Sequence, residues 1–129
     1  GGKLEIRKIN SLQELVRDWN LLINCSGWEA KTLVADDQVY PARGQTEIVT
    51  SFSPLNHLTS FNISSVGAYG IFRPESKSWV FGSTYDRDNS NANPLLSSHR
   101  EILKKIAPFV PEIDKLQMFS KVGIRCGRG

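Results

Sequence analysis

The fold is decided by residues 68–84, which read AYGIFRPESKSWVFGST. Two β-prone runs, 68–73 and 78–84, flank a Pro-Glu-Ser-Lys segment at 74–77. Proline and short polar residues favour a tight turn, and such a turn between two β-prone runs is typical of a hairpin. The centre of the chain therefore predicts two antiparallel strands.

Further strands are predicted on both sides of this hairpin. The run 46–52 has β-propensity, and the Pro-Ala-Arg-Gly segment at 41–44 is expected to interrupt structure before it. The run 116–126 also indicates a strand. Side chains alternate along a strand, so Gly123 and Arg125 share one of its faces.

One helix and two loops complete this part of the chain. Ser98 and Glu101 form a capping box ahead of an apolar stripe, which predicts a helix that Pro108 ends. The segments 53–65 and 85–94 are rich in Ser, Asn, Asp and Pro, and we expect surface loops there.

The first 35 residues show a different pattern. Residues 3–9 alternate charged and apolar side chains, which predicts a half-buried strand, and a capping box at Ser11 opens a short helix. The apolar run 21–23 predicts a strand buried on both faces, and a turn ending at Gly27 leads into a helix at 28–34. A strand, Gly turn and helix in this order can present backbone N–H groups to a phosphate or cofactor.

Composition indicates one ordinary globular domain or a piece of a larger protein. The 129 residues are 40% apolar and 22% charged, and the longest apolar runs are three residues, whereas a membrane span needs roughly 18. The net charge of +3 is mild and scattered, so it does not demand a nucleic-acid partner. The chain begins inside one predicted strand and stops at the end of another, which leads us to expect a segment of a longer protein.

Conventional catalytic and metal-binding residues are scarce. His57 and His99 have no carboxylate at a fixed spacing, and no GxSxG, HExxH, P-loop or GxGxxG motif occurs. Cys25 and Cys126 lack CxxC spacing, so we expect two buried thiols and neither a disulfide framework nor a metal site. The chain alone does not encode a complete active site.

Four short patterns nevertheless occur in a specific order. They are Asn24-Cys25-Ser26-Gly27, Tyr40-Pro41-Ala42-Arg43-Gly44-Gln45, the hairpin with Tyr69 before its turn and Gly82-Ser83-Thr84 after it, and Lys121-Val122-Gly123-Ile124-Arg125. In this combination, and over nearly its whole length, the chain resembles the flavin-dependent D-amino-acid oxidase family, in particular its D-aspartate oxidase branch.

The resemblance implies an α/β (α+β) fold. It predicts a mixed β-sheet with flanking helices, which would be the substrate-domain part of an FAD-dependent amino-acid oxidase together with a short piece of its dinucleotide-binding domain. Residues 1–35 would belong to the FAD-binding domain, as strand, helix, strand, Gly turn and helix. Residues 36–129 would be a segment of the substrate-binding sheet domain.

The resemblance also assigns site residues. Ile9, Ser26 and Gly27 would line the FAD site from the dinucleotide-binding side, and Gly123 and Arg125 would approach the flavin from the substrate side. A guanidinium can donate two parallel hydrogen bonds to a carboxylate, so Arg125 suits the α-carboxylate of an amino acid.

Tyr69 is the second catalytic candidate, because the family pattern implies that its hydroxyl helps to hold the same carboxylate. A packed core tyrosine is the open alternative. Arg43 is expected to fix its loop through backbone carbonyls. An acidic substrate would need a second cation, for which Arg73, Arg87 and His57 are the candidates.

The activity implied is oxidative deamination of D-amino acids, acidic and D-aspartate-like, to 2-oxo acids, ammonia and hydrogen peroxide. Its partners would be FAD, a small D-amino acid and O₂, with no nucleic acid, membrane or metal, in a peroxisomal or cytoplasmic protein. The 129 residues alone are expected to be inactive. Two alternatives stay open: a related FAD oxidase domain that acts on a glycine-like substituent of modified tRNA uridine, suggested by residues 85–88 and by Arg125-Cys126, and a non-catalytic β-rich interaction module.

Overall fold

The computed structural model describes residues 1–50, 55 and 57–129. The chain forms two compact units, the first made of residues 1–40 and 126–129 and the second of residues 41–125. The predicted division at 35/36 therefore lies five residues before the structural one. The assignment of the two parts to a cofactor domain and a substrate domain stays a prediction. Positions 51–54 and 56, in the predicted strand 46–52 and loop 53–65, lie outside the described residues.

The sheet is the main element of the second unit. Among the described residues it has six strands: β1 (Val39–Val49), β2 (Phe61–Ile63), β3 (Ala68–Arg73), β4 (Ser78–Gly82), β5 (Asp86–Arg87) and β6 (Met118–Arg128). The strand order is β2-β3-β4-β1-β5, and β6 also pairs with β1. The predicted hairpin is confirmed as β3 and β4, which are antiparallel with Phe72 opposite Trp79. The Lys77 N–H closes its turn by donating to the Pro74 carbonyl at 3.2 Å.

The predicted helix is confirmed as α3 (Leu96–Ile106), and its apolar stripe packs on the sheet. Ile102 and Ile106 are fully buried together with Trp79 and Phe81 of β4, whose rings stack with centroids 5.8 Å apart. Fully burying one large apolar side chain contributes about 1.5–3 kcal/mol, so this cluster holds α3 on one face of the sheet.

The predicted capping box of α3 is wrong. The helix begins at Leu96, two residues before Ser98, and its N-cap has no side-chain hydrogen bond. The Gln45 side chain fixes this start, because its Oε1 accepts from the Leu95 N–H at 2.9 Å and its Nε2 donates to the Leu95 carbonyl at 3.1 Å. A contact with β1 thus overrides the local signal at Ser98 and Glu101.

Two predicted strands of the first unit are also wrong. Residues 3–9 and 21–23 form no strand, and the described elements there are α1 (Gln13–Val16), a 3₁₀ turn (Gly27–Glu29) and α2 (Ala30–Val34). Strand hydrogen bonds need a neighbouring strand, and none of the described residues supplies one for these two runs. Their apolar side chains are therefore exposed, with Ile6 at 92% and Leu21 at 77%. The helical prediction for 28–34 is confirmed.

Strand β1 begins earlier than predicted and contains the 41–44 segment that was expected to interrupt structure. Strands β2 and β5 lie inside the two predicted loops. In each case pairing with a distant strand decides the conformation, as when Asp86 of β5 pairs with Arg43 of β1. Both thiols, Cys25 and Cys126, are exposed, which corrects the expectation of two buried cysteines. In the part of the chain described, no helix is long and apolar enough to cross a lipid bilayer.

The two faces of the sheet differ in what lies on them. Residues alternate between faces along a strand, and directly opposed residues of antiparallel strands share a face. We call the face that α3 packs on the covered face, and it carries Arg43, Gln45, Glu47, Val49, Trp79 and Phe81. We call the other the open face, and it carries Gly44, Thr46, Tyr69, Gly82, Lys121, Gly123 and Arg125.

Candidate functional site

Tyr69 lies across the open face because its cross-strand neighbour is glycine. Tyr69 and Thr46 both stand opposite Gly82, from the two strands that flank β4. A Cβ at Gly82 would lie 2.6 Å from both Cζ and Oη of Tyr69, closer than such atoms approach. The glycine therefore lets the phenol ring rest on β4, with its hydroxyl over Gly82. Tyr69 is half-buried and outside the apolar core, whereas the alternative expectation was a packed core tyrosine.

Arg125 occupies a similar position over a second glycine. A Cβ at Gly44 would collide with the Arg125 guanidinium, so the absence of a side chain there lets the guanidinium lie on β1. Arg125 is exposed, and among the described residues no carboxylate, carbonyl or hydroxyl accepts from it. A guanidinium has five N–H donors, and no described residue accepts from any of those of Arg125.

The two predicted residues of β6 line one open-face cleft. The cleft has a volume of about 190 Å³ and is lined by Gly44, Thr46, Lys121, Val122, Gly123 and Arg125. A Cβ at Gly123 would meet nothing within 4 Å, so the middle of the cleft is unfilled. Tyr69 is not part of the lining. Its hydroxyl lies over Gly82, and Gly82 stands directly opposite the cleft residue Thr46 on the neighbouring strand.

The open face is cationic. Of the described strand residues on it, none is acidic and four are basic: Arg73, Arg87, Lys121 and Arg125. A surface lined by one sign of charge raises the local concentration of ligands of the opposite sign. The cleft thus suits an anion small enough for its volume, such as a carboxylate on a small molecule.

Arg43, on the covered face, is a contrasting case. It is fully buried, and its donors are all used within the chain. Nε donates to the Asn91 carbonyl at 3.0 Å, Nη1 to Asp86 Oδ2 and Ser98 Oγ at 3.2 Å, and Nη2 to Gln45 Oε1 at 2.8 Å and the Asn93 carbonyl at 2.9 Å. Arg43 does donate to backbone carbonyls, as predicted, but these belong to Asn91 and Asn93 and not to its own segment, which is part of β1.

His99 has a carboxylate partner that the sequence did not reveal. Its Nδ1 lies 3.1 Å from Oε2 of the buried Glu47, which also accepts from Ser120 Oγ at 2.8 and 2.9 Å. A nucleophilic serine would donate to the histidine, whereas this serine donates to the carboxylate. We read the cluster as a satisfied buried carboxylate. The contact joins β1, α3 and β6, so no sequence spacing signals it.

The first unit contains its own pocket, of about 740 Å³. It is lined by Lys8, Ile9, Asn10, Ser26, Trp28, Glu29, Thr32 and Leu33, so two of the three residues predicted on the dinucleotide side, Ile9 and Ser26, lie at one pocket. The third, Gly27, is their neighbour and not part of the lining, and its φ of 68° favours glycine. The Lys8 ammonium and the Asn10 amide are donors that suit phosphate and ribose oxygens, whereas the Ser26 hydroxyl already donates to Asn24 Oδ1 at 2.7 Å.

A metal centre has no support in the described residues, since no group of three or more His, Cys, Asp or Glu side chains comes close enough to hold an ion.

Comparison with solved structures tests the predicted fold class. Glycine oxidase from Geobacillus kaustophilus superposes with a TM-score of 0.66 at 25% identity, over 81% of this chain and 29% of the other. Glycine oxidase from Bacillus cereus gives 0.67 at 19% identity, over 79% and 28%. The predicted fold class, a mixed sheet with flanking helices as found in such oxidases, is confirmed.

Comparison with known sequences confirms the resemblance to D-amino-acid oxidases and D-aspartate oxidase. No family model matches. The D-amino-acid oxidases of Dictyostelium discoideum and Streptomyces coelicolor are 29% and 30% identical over 99% of this chain, and human D-aspartate oxidase is 28% identical over 97%. The chain spans 36–39% of the length of these relatives, which is consistent with an internal segment of that family.

Proposed function

We propose that this chain is part of an FAD-dependent oxidase that oxidatively deaminates D-amino acids. The observation that carries the proposal is the pair on the open face: a guanidinium at Arg125 without a partner among the described residues, and the Tyr69 hydroxyl over Gly82 beside the same cleft. Relatives named for this activity align with almost the whole chain, which supports the choice of substrate class.

The chemistry of the pair suits an amino-acid carboxylate. Arg125 would donate two parallel hydrogen bonds to the two carboxylate oxygens, and the Tyr69 O–H would donate a third. Hydrogen bonds to an ionised group contribute about 1.5–3 kcal/mol each, so these donors would fix both the position and the orientation of the substrate. Holding the carboxylate in one place also holds Cα in one place, and orientation is a large part of what a protein supplies to such a reaction.

Each unit contains residues that are candidates for contact with the cofactor. Ile9, Ser26 and Gly27 would contact it in the first unit, and Gly123 and Arg125 would contact it in the second. When bound, FAD supplies a two-electron acceptor for the hydride from Cα and passes the electrons to O₂, giving hydrogen peroxide. The open space at Gly123 supports this assignment, because a flat ring approaches backbone closely only where no side chain intervenes. The imino acid released would hydrolyse to a 2-oxo acid and ammonia.

Part of the evidence for the tRNA-modifying alternative has another explanation. Of the motif at 85–88, Asp86 binds the buried Arg43 and Arg87 pairs with Asp88 at 3.4 Å, so these residues have structural partners. We therefore favour a free amino acid as the substrate.

The proposal is tested by peroxide production from D-amino acids by the full-length, FAD-loaded protein. We expect turnover of D-amino acids, none of the matching L-amino acids, and loss of turnover in Arg125→Ala with unchanged flavin content. We expect the 129 residues alone to be inactive, since they lack the Gly-rich turn that binds the pyrophosphate. Activity confined to tRNA carrying carboxymethylaminomethyl-uridine would contradict the proposal and favour the alternative.

A further inference from the structure

Lys121 is a fourth candidate for the second cation, in addition to Arg73, Arg87 and His57, and it lies at the cleft. It lies on β6 two residues before Gly123, and its backbone carbonyl accepts from Thr46 Oγ1 at 3.4 Å. Its side chain is exposed, lines the same cleft as Arg125, and forms no ion pair with any described carboxylate. We infer that Lys121 selects substrates that carry a second carboxylate, an inference that rests on the proposed function.

The placement of the two residues suits a short dicarboxylate. Lys121 and Arg125 are four residues apart on β6, roughly 13 Å between their Cα atoms. The Arg125 guanidinium lies over Gly44, two residues of β1 from Thr46, and Thr46 Oγ1 donates to the Lys121 carbonyl, so the guanidinium lies closer to the Lys121 backbone than the Cα separation suggests. Gly123 lies between them on β6 and leaves the space free of side chains. An amino acid whose α-carboxylate is held by Arg125 can therefore extend its acidic side chain toward the Lys121 ammonium.

The other candidate cations are less well placed. Arg73 is on the open face, but its strand β3 is separated from the cleft strand β1 by β4, and Arg73 does not line the cleft. Arg87 stands opposite Ala42 and already pairs with Asp88 at 3.4 Å. His57 lies in a turn and belongs to no strand of the sheet. Lys121 alone of these lines the cleft.

The exposure of Lys121 also predicts how it discriminates. An ammonium in contact with water loses nothing when a neutral substrate binds, so substrates such as D-alanine would not be rejected. A substrate with a second carboxylate would gain one charge-assisted contact. The expected preference is therefore moderate, about tenfold for D-aspartate or D-glutamate over D-alanine.

The test compares Lys121→Met with Lys104→Met in the full-length, FAD-loaded protein. Lys104 is exposed on α3 and outside the cleft, so it controls for loss of one positive charge. We expect Lys121→Met to lower the D-aspartate to D-alanine ratio of kcat/KM by about tenfold, and Lys121→Arg to keep most of the preference. Lys104→Met should leave the ratio unchanged.

A binding measurement separates this inference from the proposed function. Succinate and propionate differ by one carboxylate and do not react, so calorimetry gives their Kd values whether or not D-amino acids are substrates. We expect Lys121→Met to weaken succinate about tenfold and propionate less than about twofold. Equal weakening of both anions, or a loss of selectivity in Arg87→Met but not in Lys121→Met, would overturn the role of Lys121. Absence of D-amino-acid turnover with selective succinate binding would contradict only the proposed function.

Discussion

Arg43 and Arg125 lie on opposite faces of the same sheet, and their environments differ. Arg43 is fully buried on the covered face, and a carboxylate, an amide, a hydroxyl and two carbonyls accept from it. Arg125 is exposed on the open face and has no acceptor among the described residues. A guanidinium whose donors are all used stabilises the fold, whereas one whose donors are free is available to a ligand. The same residue type thus serves two purposes, and its surroundings distinguish them.

The largest expected effect is on stability, at Arg43. Arg43→Met leaves Ser98, two loop carbonyls and the partly exposed Asp86 carboxylate without their donor. Because each unsatisfied buried acceptor costs about 1–3 kcal/mol, we expect a total loss of about 3–5 kcal/mol. Urea unfolding of the full-length protein measures it. Arg125→Met is the matched control and should change the free energy of unfolding by less than about 0.5 kcal/mol. Equal effects at the two positions would contradict the comparison.

The second effect is on catalysis, at Arg125. Arg125→Lys keeps the charge but loses the fork that binds two oxygens, so we expect kcat/KM for the preferred D-amino acid to fall by the equivalent of about 2–4 kcal/mol, and further in Arg125→Ala. Arg100→Lys, at an exposed position of α3, controls for the substitution itself. Turnover close to that of the unmodified protein in Arg125→Ala would refute the assignment.

The third effect compares Gly82 with Gly44, the two open-face glycines on which a side chain rests. Gly82→Ala places a methyl group against the half-buried Tyr69 ring and should destabilise the fold by about 1–3 kcal/mol. Gly44→Ala meets only the free end of Arg125, which can move, so its cost in stability should be smaller. Both substitutions should lower kcat/KM. Thermal unfolding and steady-state kinetics together test this, and a greater loss of stability in Gly44→Ala would contradict it.

The smallest effect concerns Arg128, an arginine that is exposed and paired. The hydrogen bond from its Nε, at 2.9 Å, and that from the Gln38 N–H, at 3.0 Å, lower the pKa of Asp36 below its ordinary 3.8. Because the folded-state pKa is the lower one, the stability from this pair is present above the ordinary pKa and is lost as the pH falls through the folded-state value. NMR titration should show the Asp36 pKa rising toward 3.8 in Arg128→Gln. An unchanged pKa would exclude the pair as its cause.

The parts of the fold that were predicted correctly depend on local patterns. The hairpin could be predicted because its turn and both strands lie within residues 68–84. Helix α3 could be predicted because its apolar stripe is continuous. The early start of β1 and the strands β2 and β5 were missed, since pairing between residues far apart in sequence decides them. Residues 3–9 and 21–23 show the converse, because a strand pattern without a neighbouring strand forms none.

The candidate site was predictable to a similar degree. Alternation along β6 put Gly123 and Arg125 on one face, and the same alternation puts Lys121 there. That no described carboxylate pairs with Lys121 depends on the register of the neighbouring strands, which the sequence does not show. Arg43 contacts Asn91, Asn93 and Ser98, which are 48–55 residues away in the sequence. The pairing of His99 with Glu47 likewise joins segments about 50 residues apart.

The most direct test of the central claim is a double-mutant cycle between Arg125→Lys and Tyr69→Phe, with kcat/KM for the preferred D-amino acid measured on the full-length, FAD-loaded protein. If both side chains hold one carboxylate, the two losses are not additive, and the coupling energy exceeds about 0.5 kcal/mol. The parallel cycle of Arg125→Lys with Lys104→Met should be additive. Additive losses for Arg125 and Tyr69, or no loss at either position, would contradict the claim that the open face holds the substrate carboxylate.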